Sequence, residues 1–244
     1  MRILYQLTSP MDRTLGPEEV ERRRRVLQSY AAAGAEVAVE PTARGPAAIE
    51  SAHDAALVIP ELIRLAPRAE ERGFSAVIVG CYSDPGLDAL REMLSIPVIG
   101  PGAASLHVAA QLGTRISLLT PAGRGYGRVA ARMRALALGA LLASVRGIGL
   151  SVMDLARQAP GALDKAAEAA RAAVEEDRAD VLVLGCMSMA FLPGICEDLS
   201  ARAGVPIVNP VVAALKTAEM VAGMGLAQSK AAYPVPKPQQ MVEA

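Results

Sequence analysis

There is no tryptophan in this chain, and aromatic residues make up only 3% of it. A core built from such a sequence must be filled by aliphatic side chains and by Ala-rich helices in close contact. Excess charge of either sign is also missing, since 25 Lys and Arg offset 25 Asp and Glu. A formal net charge of zero argues against nucleic acid, which demands a basic field. Long apolar runs are absent too: no stretch reaches about 18 uninterrupted apolar residues, so no membrane partner is expected. The opening "MRILYQLTSP" is too short a hydrophobic run for a signal peptide or an anchor. Cysteine is scarce, and three in a chain of this size do not make a disulfide framework. The reading is a soluble, cytoplasmic protein with reduced thiols.

The 244 residues are 52% apolar, enough for one large domain or two small ones. Short β-branched runs alternate with Ala/Leu-rich stretches from end to end. Strands are expected at 2–7, 35–39, 75–80, 97–99, 115–119, 142–148, 180–185 and 206–208. Helices are expected at 17–33, 50–72, 86–94, 101–112, 125–138, 161–177, 191–203 and 210–223. The stripe Ala55, Val58, Ile59, Leu62, Ile63, Ala66 has helical spacing, and Gly34, Gly73 and Gly113 fit C-terminal stops. Alternation of this kind implies parallel sheets covered on both faces. The dense charge run "ERRRR" at 21–25, in the helix opened by Pro17-Glu18-Glu19, reads as a solvated face.

The chain then repeats itself. "RILYQLTSP" at 2–10 is echoed by "RISLLTP" at 115–121, "FSAVIVGCYS" at 74–83 by "RADVLVLGCMS" at 178–188, and "IPVIGP" at 96–101 by "VPIVNP" at 205–210. Such self-similarity marks a duplication. The expected fold is α/β, with two pseudo-symmetric parallel-sheet lobes near 1–113 and 114–223 and a Pro-rich tail at 224–244 that is mobile or lies on a neighbouring subunit.

Two of the three cysteines, Cys81 and Cys186, stand at equivalent strand ends, each in Gly-Cys-x-Ser. Ligands of open parallel sheets bind beyond the carboxyl ends of the strands, so the two thiols are expected to face each other across the cleft between lobes. Backbone N–H groups at a strand-to-helix turn favour the thiolate and lower its pKa. Tyr82-Ser83 and Met187-Ser188 offer N–H groups and a hydroxyl for a carboxylate or a developing enolate oxygen. Two opposed thiols suit inversion at a carbon next to a carbonyl: one removes a proton, the other returns one, and no cofactor or metal is needed. A single Cys at a strand end is ordinarily a small hydrophobe, but two in equivalent positions are not. Cys196, in helical "LPGICEDL" without a copy in the first lobe, reads as structural.

"GCYSDPGLDALRE" with "IPVIG", "GCMSMA" with "VPIVNPVVAALKTAE", and "RGPAAIESAHDAAL" at 44–57 resemble the aspartate/glutamate racemase superfamily, in its hydantoin and allantoin racemase branch. The resemblance runs from the first strand to about residue 223. It implies an active site between two α/β lobes, cofactor-independent racemisation with Cys81 and Cys186 as the acid/base pair, a small carbonyl or carboxylate substrate, and a homo-oligomer. Thr120, in "LLTP", matches a family position near the substrate. Three departures mark the pocket. The branch's Asn-Pro-Asn-Thr stretch is here Tyr5-Gln6-Leu7-Thr8, which puts Gln6 forward as a substrate contact. Asn209 stands where Asp is common, and Ala48 where Ser is usual. The enzyme alternatives within this fold are a maleate-type cis–trans isomerase and a malonate decarboxylase; outside enzymes, the alternative is a two-lobed sensor of a small anion.

Other residues carry weaker readings. "AGRGYGR" after Thr120-Pro121 could cradle an anion, with Arg124 and Arg128 nearby, but it lacks the spacing of a nucleotide loop. Asp84 is expected to cap the helix that begins near Pro85. His53 and His107 have no Cys, His or carboxylate at metal-ligand spacing and read as ordinary helix positions. Glu50 and Asp54 are expected to share a helix face.

Overall fold

The computed structural model describes residues 1–123 and 125–237. Arg124 and residues 238–244 lie outside the described residues. The first half runs β1 (Arg2–Leu7), α1 (Met11–Thr14), α2 (Pro17–Tyr30), β2 (Glu36–Glu40), α3 (Ala52–Leu65), α4 (Pro67–Glu71), β3 (Ala76–Gly80), α5 (Leu87–Met93), β4 (Val98–Ile99) and α6 (Pro101–Ala109). The second runs β5 (Ile116–Thr120), α7 (Tyr126–Ala135), a 3₁₀ turn (Gly139–Leu141), β6 (Leu142–Gly147), α8 (Val152–Ala156), α9 (Ala162–Glu175), β7 (Val181–Leu184), α10 (Met187–Ala190), α11 (Ile195–Ala203), β8 (Ile207–Val208) and α12 (Pro210–Gly223).

Two four-stranded sheets result, in the orders β2-β1-β3-β4 and β6-β5-β7-β8, and all their described pairings are parallel. The matching orders bear out an α/β fold of two pseudo-symmetric lobes. In each sheet the chain leaves a central strand for one neighbour and returns on its other side. The carboxyl ends of β1 and β3, and of β5 and β7, therefore meet at a topological switch point. β3 and β7 are buried along their whole length, as continuous apolar runs require.

The last helix of each half packs on the other. Leu106 and Ala109 of α6 lie in one cluster with Ile116, Leu118, Val181 and Val183 of the second sheet. Val211, Ala214, Leu215 and Ala218 of α12 lie in the same cluster as Ile3, Tyr5 and Ile78 of the first. The two helices also pack on each other. This exchange ties the sheets together and fixes one switch point relative to the other.

Several local expectations are corrected. The helix at 50–72 is two, with a break at Ala66, because Pro67 cannot continue the hydrogen-bond ladder. It starts at Ala52 behind Ser51, and Asp54 closes a capping box with that serine. Glu50 is therefore outside the helix, where its carboxylate accepts from the Val152 N–H of the second half at 2.8 Å. The tail through Tyr233 is fastened to the first half. Lys230 donates to the carbonyls of Arg91, Glu92 and Leu94 at the end of α5, which have no partner within the helix. Gln228 pairs with both backbone groups of Val98 on the edge strand β4. No helix among the described residues is long and apolar enough to cross a membrane.

Candidate active site

Close backbone approach makes each Gly-Cys step. A Cβ at Gly80 would meet the Gln6 carbonyl at 2.7 Å and the Tyr5 ring at 2.9 Å; one at Gly185 would meet the Leu119 carbonyl and Thr120 Cγ2, both at 2.9 Å. Only glycine lets β3 and β7 end so near β1 and β5, and the thiol follows directly. Cys81 is partly exposed, and its Sγ lies 3.2 Å from Ser83 Oγ. Cys186 is buried at the N-cap of α10. Tyr5 links the two motifs, its ring against Gly80 and edge-on to Phe191 in the same cluster as Cys186 and Tyr82, and a negative charge on Cys81 raises the pKa of Cys186. The duplicated motifs thus converge on one site.

Both thiols are less acidic than an ordinary cysteine, which corrects the expectation of lowered values. Burial pushes Cys186 up to about 11; the N–H groups of Met189 and Ser188 and the charge of Arg23 oppose it without prevailing. Burial also pushes Cys81 up, against hydrogen bonds from the Ser83 side chain and backbone and the more distant Arg132. The local N–H groups are there, but desolvation of the thiolate outweighs them. Because Cys81 is the more accessible thiol and has a hydroxyl partner, brief treatment with iodoacetamide is expected to alkylate Cys81 about tenfold or more faster than Cys186. Peptide mass spectrometry would read the order, and faster labelling of Cys186 would contradict this asymmetry.

Asp84 caps α6 rather than α5. Its carboxylate accepts from the Gly102 and Ala103 N–H groups, both at 3.0 Å, and pairs with Arg132 of α7. Arg132 also donates to the Tyr82 carbonyl at 2.6 Å, so the loop carrying Cys81 is anchored to the second half.

The "ERRRR" run divides between solvent and interior. Arg24 and Arg25 pair with Glu21 at the surface, but Arg23 is only 2% exposed. Its Nε donates to Glu19 at 2.8 Å, its Nη2 to Ser188 Oγ at 3.2 Å, and its guanidinium lies 4.8 Å from the Phe191 ring centroid. Arg22 donates to the Phe191 carbonyl and to Glu19. Charge-run reasoning missed this. The signal available was the i,i+4 pair Glu19–Arg23, which lets a buried arginine carry its own counter-ion.

The remaining expected contacts divide in the same way. Tyr82, Met187 and Ser188 flank the thiols, with Met187 and Ser188 buried and Ser83 exposed. Thr120 Oγ1 accepts from Gly123 N–H at 3.2 Å, which closes its own turn. Gln6 lines the side of the first sheet with Leu62, Val79 and Leu90, and its amide donates to the carbonyls of Leu7 and Glu40. Asn209 caps α12 through the Val211 and Val212 N–H groups and donates to the Ala190 carbonyl. Cys196 lies on α11 beside Asn209. His53, His107 and Arg128 are exposed. Among the described residues no group of three or more His, Cys, Asp or Glu side chains gathers as a metal site would require.

Comparison with known proteins agrees with this architecture. Residues 19–218 match the family model described as Asp/Glu/Hydantoin racemase. The chain is 35% identical over 205 residues to a hydantoin racemase of Paenarthrobacter aurescens, covering 84% of this chain and 86% of that protein. It is 33% identical over 209 residues to a hydantoin racemase of Pseudomonas sp. (strain NS671), covering 85% and 82%. The solved allantoin racemase from Klebsiella pneumoniae superposes with a TM-score of 0.88 at 28% identity, over 100% of this chain and 96% of that one. With a family match over most of its length and the same two-sheet architecture, the chain belongs to the Asp/Glu/Hydantoin racemase family, in its hydantoin and allantoin racemase branch, and is an isomerase of the racemase type.

Proposed function

We propose that the protein racemises a 5-substituted hydantoin, allantoin or a similar small amino-acid derivative, with Cys81 and Cys186 as opposed acid and base. The observation that carries this reading is the convergence of two Gly-Cys-x-Ser strand ends on Tyr5, whose ring lies against Gly80 and edge-on to Phe191, with a charge on Cys81 felt at Cys186. In one direction the Cys81 thiolate takes the proton from the carbon beside the carbonyl, and the electron pair moves into the C–C–O system. The Cys186 S–H then delivers its proton to the opposite face. The carbon is inverted, Cys81 is left protonated and Cys186 ionised. The other enantiomer runs the same steps in reverse. The N–H groups of Tyr82 and Met187, each next to a thiol, are assigned to the enolate oxygen.

Raised thiol pKa values suit this role. A thiolate of pKa near 11 is a stronger base toward a carbon acid than an ordinary one, at the cost of a small ionised fraction at neutral pH. The active form carries one thiolate and one thiol. The acid limb of kcat/KM is therefore expected above the ordinary thiol range, with the rate rising about tenfold per pH unit between about pH 7 and 9. A limb below about pH 7 would contradict it.

The deciding experiment incubates the purified protein with single enantiomers of 5-substituted hydantoins and of allantoin in D2O, following loss of the proton at the stereocentre and of optical rotation. Exchange with inversion supports racemisation. Retention of the proton by every substrate rejects it, and binding without exchange favours a sensor.

A further inference from the structure

Among the described residues, the proposed chemistry leaves two buried hydroxyls of the site unpartnered, that of Tyr82, which has Ser105 nearby, and that of Tyr5. Tyr5, on the central strand β1, is fully buried, and its hydroxyl has no hydrogen-bond partner among the described residues. A solitary buried hydroxyl is uncommon, because its lost hydration is uncompensated in the free protein.

Its surroundings place it at the thiols. The ring lies against Gly80, the residue before Cys81. It meets Phe191, five residues after Cys186, edge-on at 6.1 Å and 87°. Arg23 lies on that same phenylalanine and bonds Ser188. Charges on Arg23, Cys81 and Cys186 all act on the phenol, and burial keeps it protonated far above neutral pH. It is therefore a hydrogen-bond donor at any working pH. Arg132 is paired with Asp84, whereas Glu19 is shared between Arg22 and Arg23, so that cluster keeps one net positive charge beside Ser188.

We propose that Tyr5 is a specificity-determining residue: its unpartnered hydroxyl, on a ring packed against Gly80 and edge-on to Phe191, donates a hydrogen bond to a carbonyl oxygen of a hydantoin-type substrate. This rests on the racemase reading of the same two thiols. It adds a contact that the Gly-Cys-x-Ser motifs do not supply. A substrate without an acceptor at that point leaves the hydroxyl unpaired and is discriminated against for that reason.

The test is Tyr5→Phe, which keeps the ring, its packing on Gly80 and its edge on Phe191, and removes one oxygen. Three quantities are compared with wild type: proton exchange of a 5-substituted hydantoin, calorimetric binding of 5,5-dimethylhydantoin, and the thermal midpoint. The dimethyl compound has no proton at the reacting carbon, so its affinity reports binding apart from chemistry. Expected are a dimethylhydantoin Kd about tenfold or more weaker, kcat/KM lower by about tenfold to a hundredfold, and a midpoint unchanged or higher. Unchanged binding and exchange in the variant, beside an active wild type, overturns the role of Tyr5 and leaves the racemase reading intact. Lost activity with a lowered midpoint and unchanged affinity also overturns it, because that pattern belongs to packing. A wild type that neither binds the dimethyl compound nor exchanges any hydantoin overturns both.

Discussion

Cys81→Ala and Cys186→Ala are each expected to abolish racemisation, with losses of about 10³-fold or more, while leaving two different residues of activity. With Cys81 gone, Cys186 can still take a proton from the face it occupies and return one to that face. In D2O this variant should exchange the proton of one enantiomer without inverting it, and Cys186→Ala should do so only for the other. The complementary handedness is the informative part, because simple damage to the site would depress both enantiomers alike. Chiral chromatography with proton NMR in D2O reads both quantities. A variant that inverts at the wild-type rate, or two variants that exchange the same enantiomer, would remove the two-thiol mechanism. Cys196→Ala is the control and should leave both activities near wild type, since that thiol sits on α11 beside Asn209.

Much of the scaffold was legible because buried parallel strands write themselves as unbroken β-branched runs. "AVIVG" and "VLVL" can satisfy their side chains only between two layers, and all eight expected strands occur within about one residue of the structure's bounds. The duplication was equally plain, and it singled out Cys81 and Cys186. What could not be read is which layer a helix covers. Nothing in the Ala-rich sequences of α6 and α12 says that each crosses to the other sheet, since an alanine face packs on either. The short helix α10 was missed because four residues are too few to show a period. Arg23 was misread because charge composition describes a segment, whereas burial is decided by the one helix face that meets Phe191 and Ser188. Thiol acidity failed in the same way: motif logic supplied the N–H groups, and only the packed structure supplied the desolvation.

Arg132→Met is expected to cost about 3–5 kcal/mol of stability near neutral pH, because it strips a buried carboxylate of its counter-ion. Asp84 is 9% exposed, and burial already raises its pKa against Arg132 and the two N–H groups at the start of α6. Without the guanidinium, only those N–H groups oppose desolvation, so the folded pKa must rise further. A carboxyl held above its unfolded pKa favours the fold while protonated and loses that contribution as pH rises through the folded value. The variant's deficit should therefore be larger at pH 7 than at pH 4, a difference that urea titrations at the two pH values would resolve. Asp84→Asn in the Arg132→Met background should recover most of the neutral-pH loss, since it removes the charge and keeps an oxygen for Gly102 or Ala103. A deficit independent of pH, or no recovery in the double variant, would mean that Arg132 acts mainly through its hold on the Tyr82 carbonyl. That second bond survives in neither variant. Exchange activity should consequently stay depressed in the double variant after stability has returned, separating the arginine's role in folding from its role in holding the Cys81 loop in place.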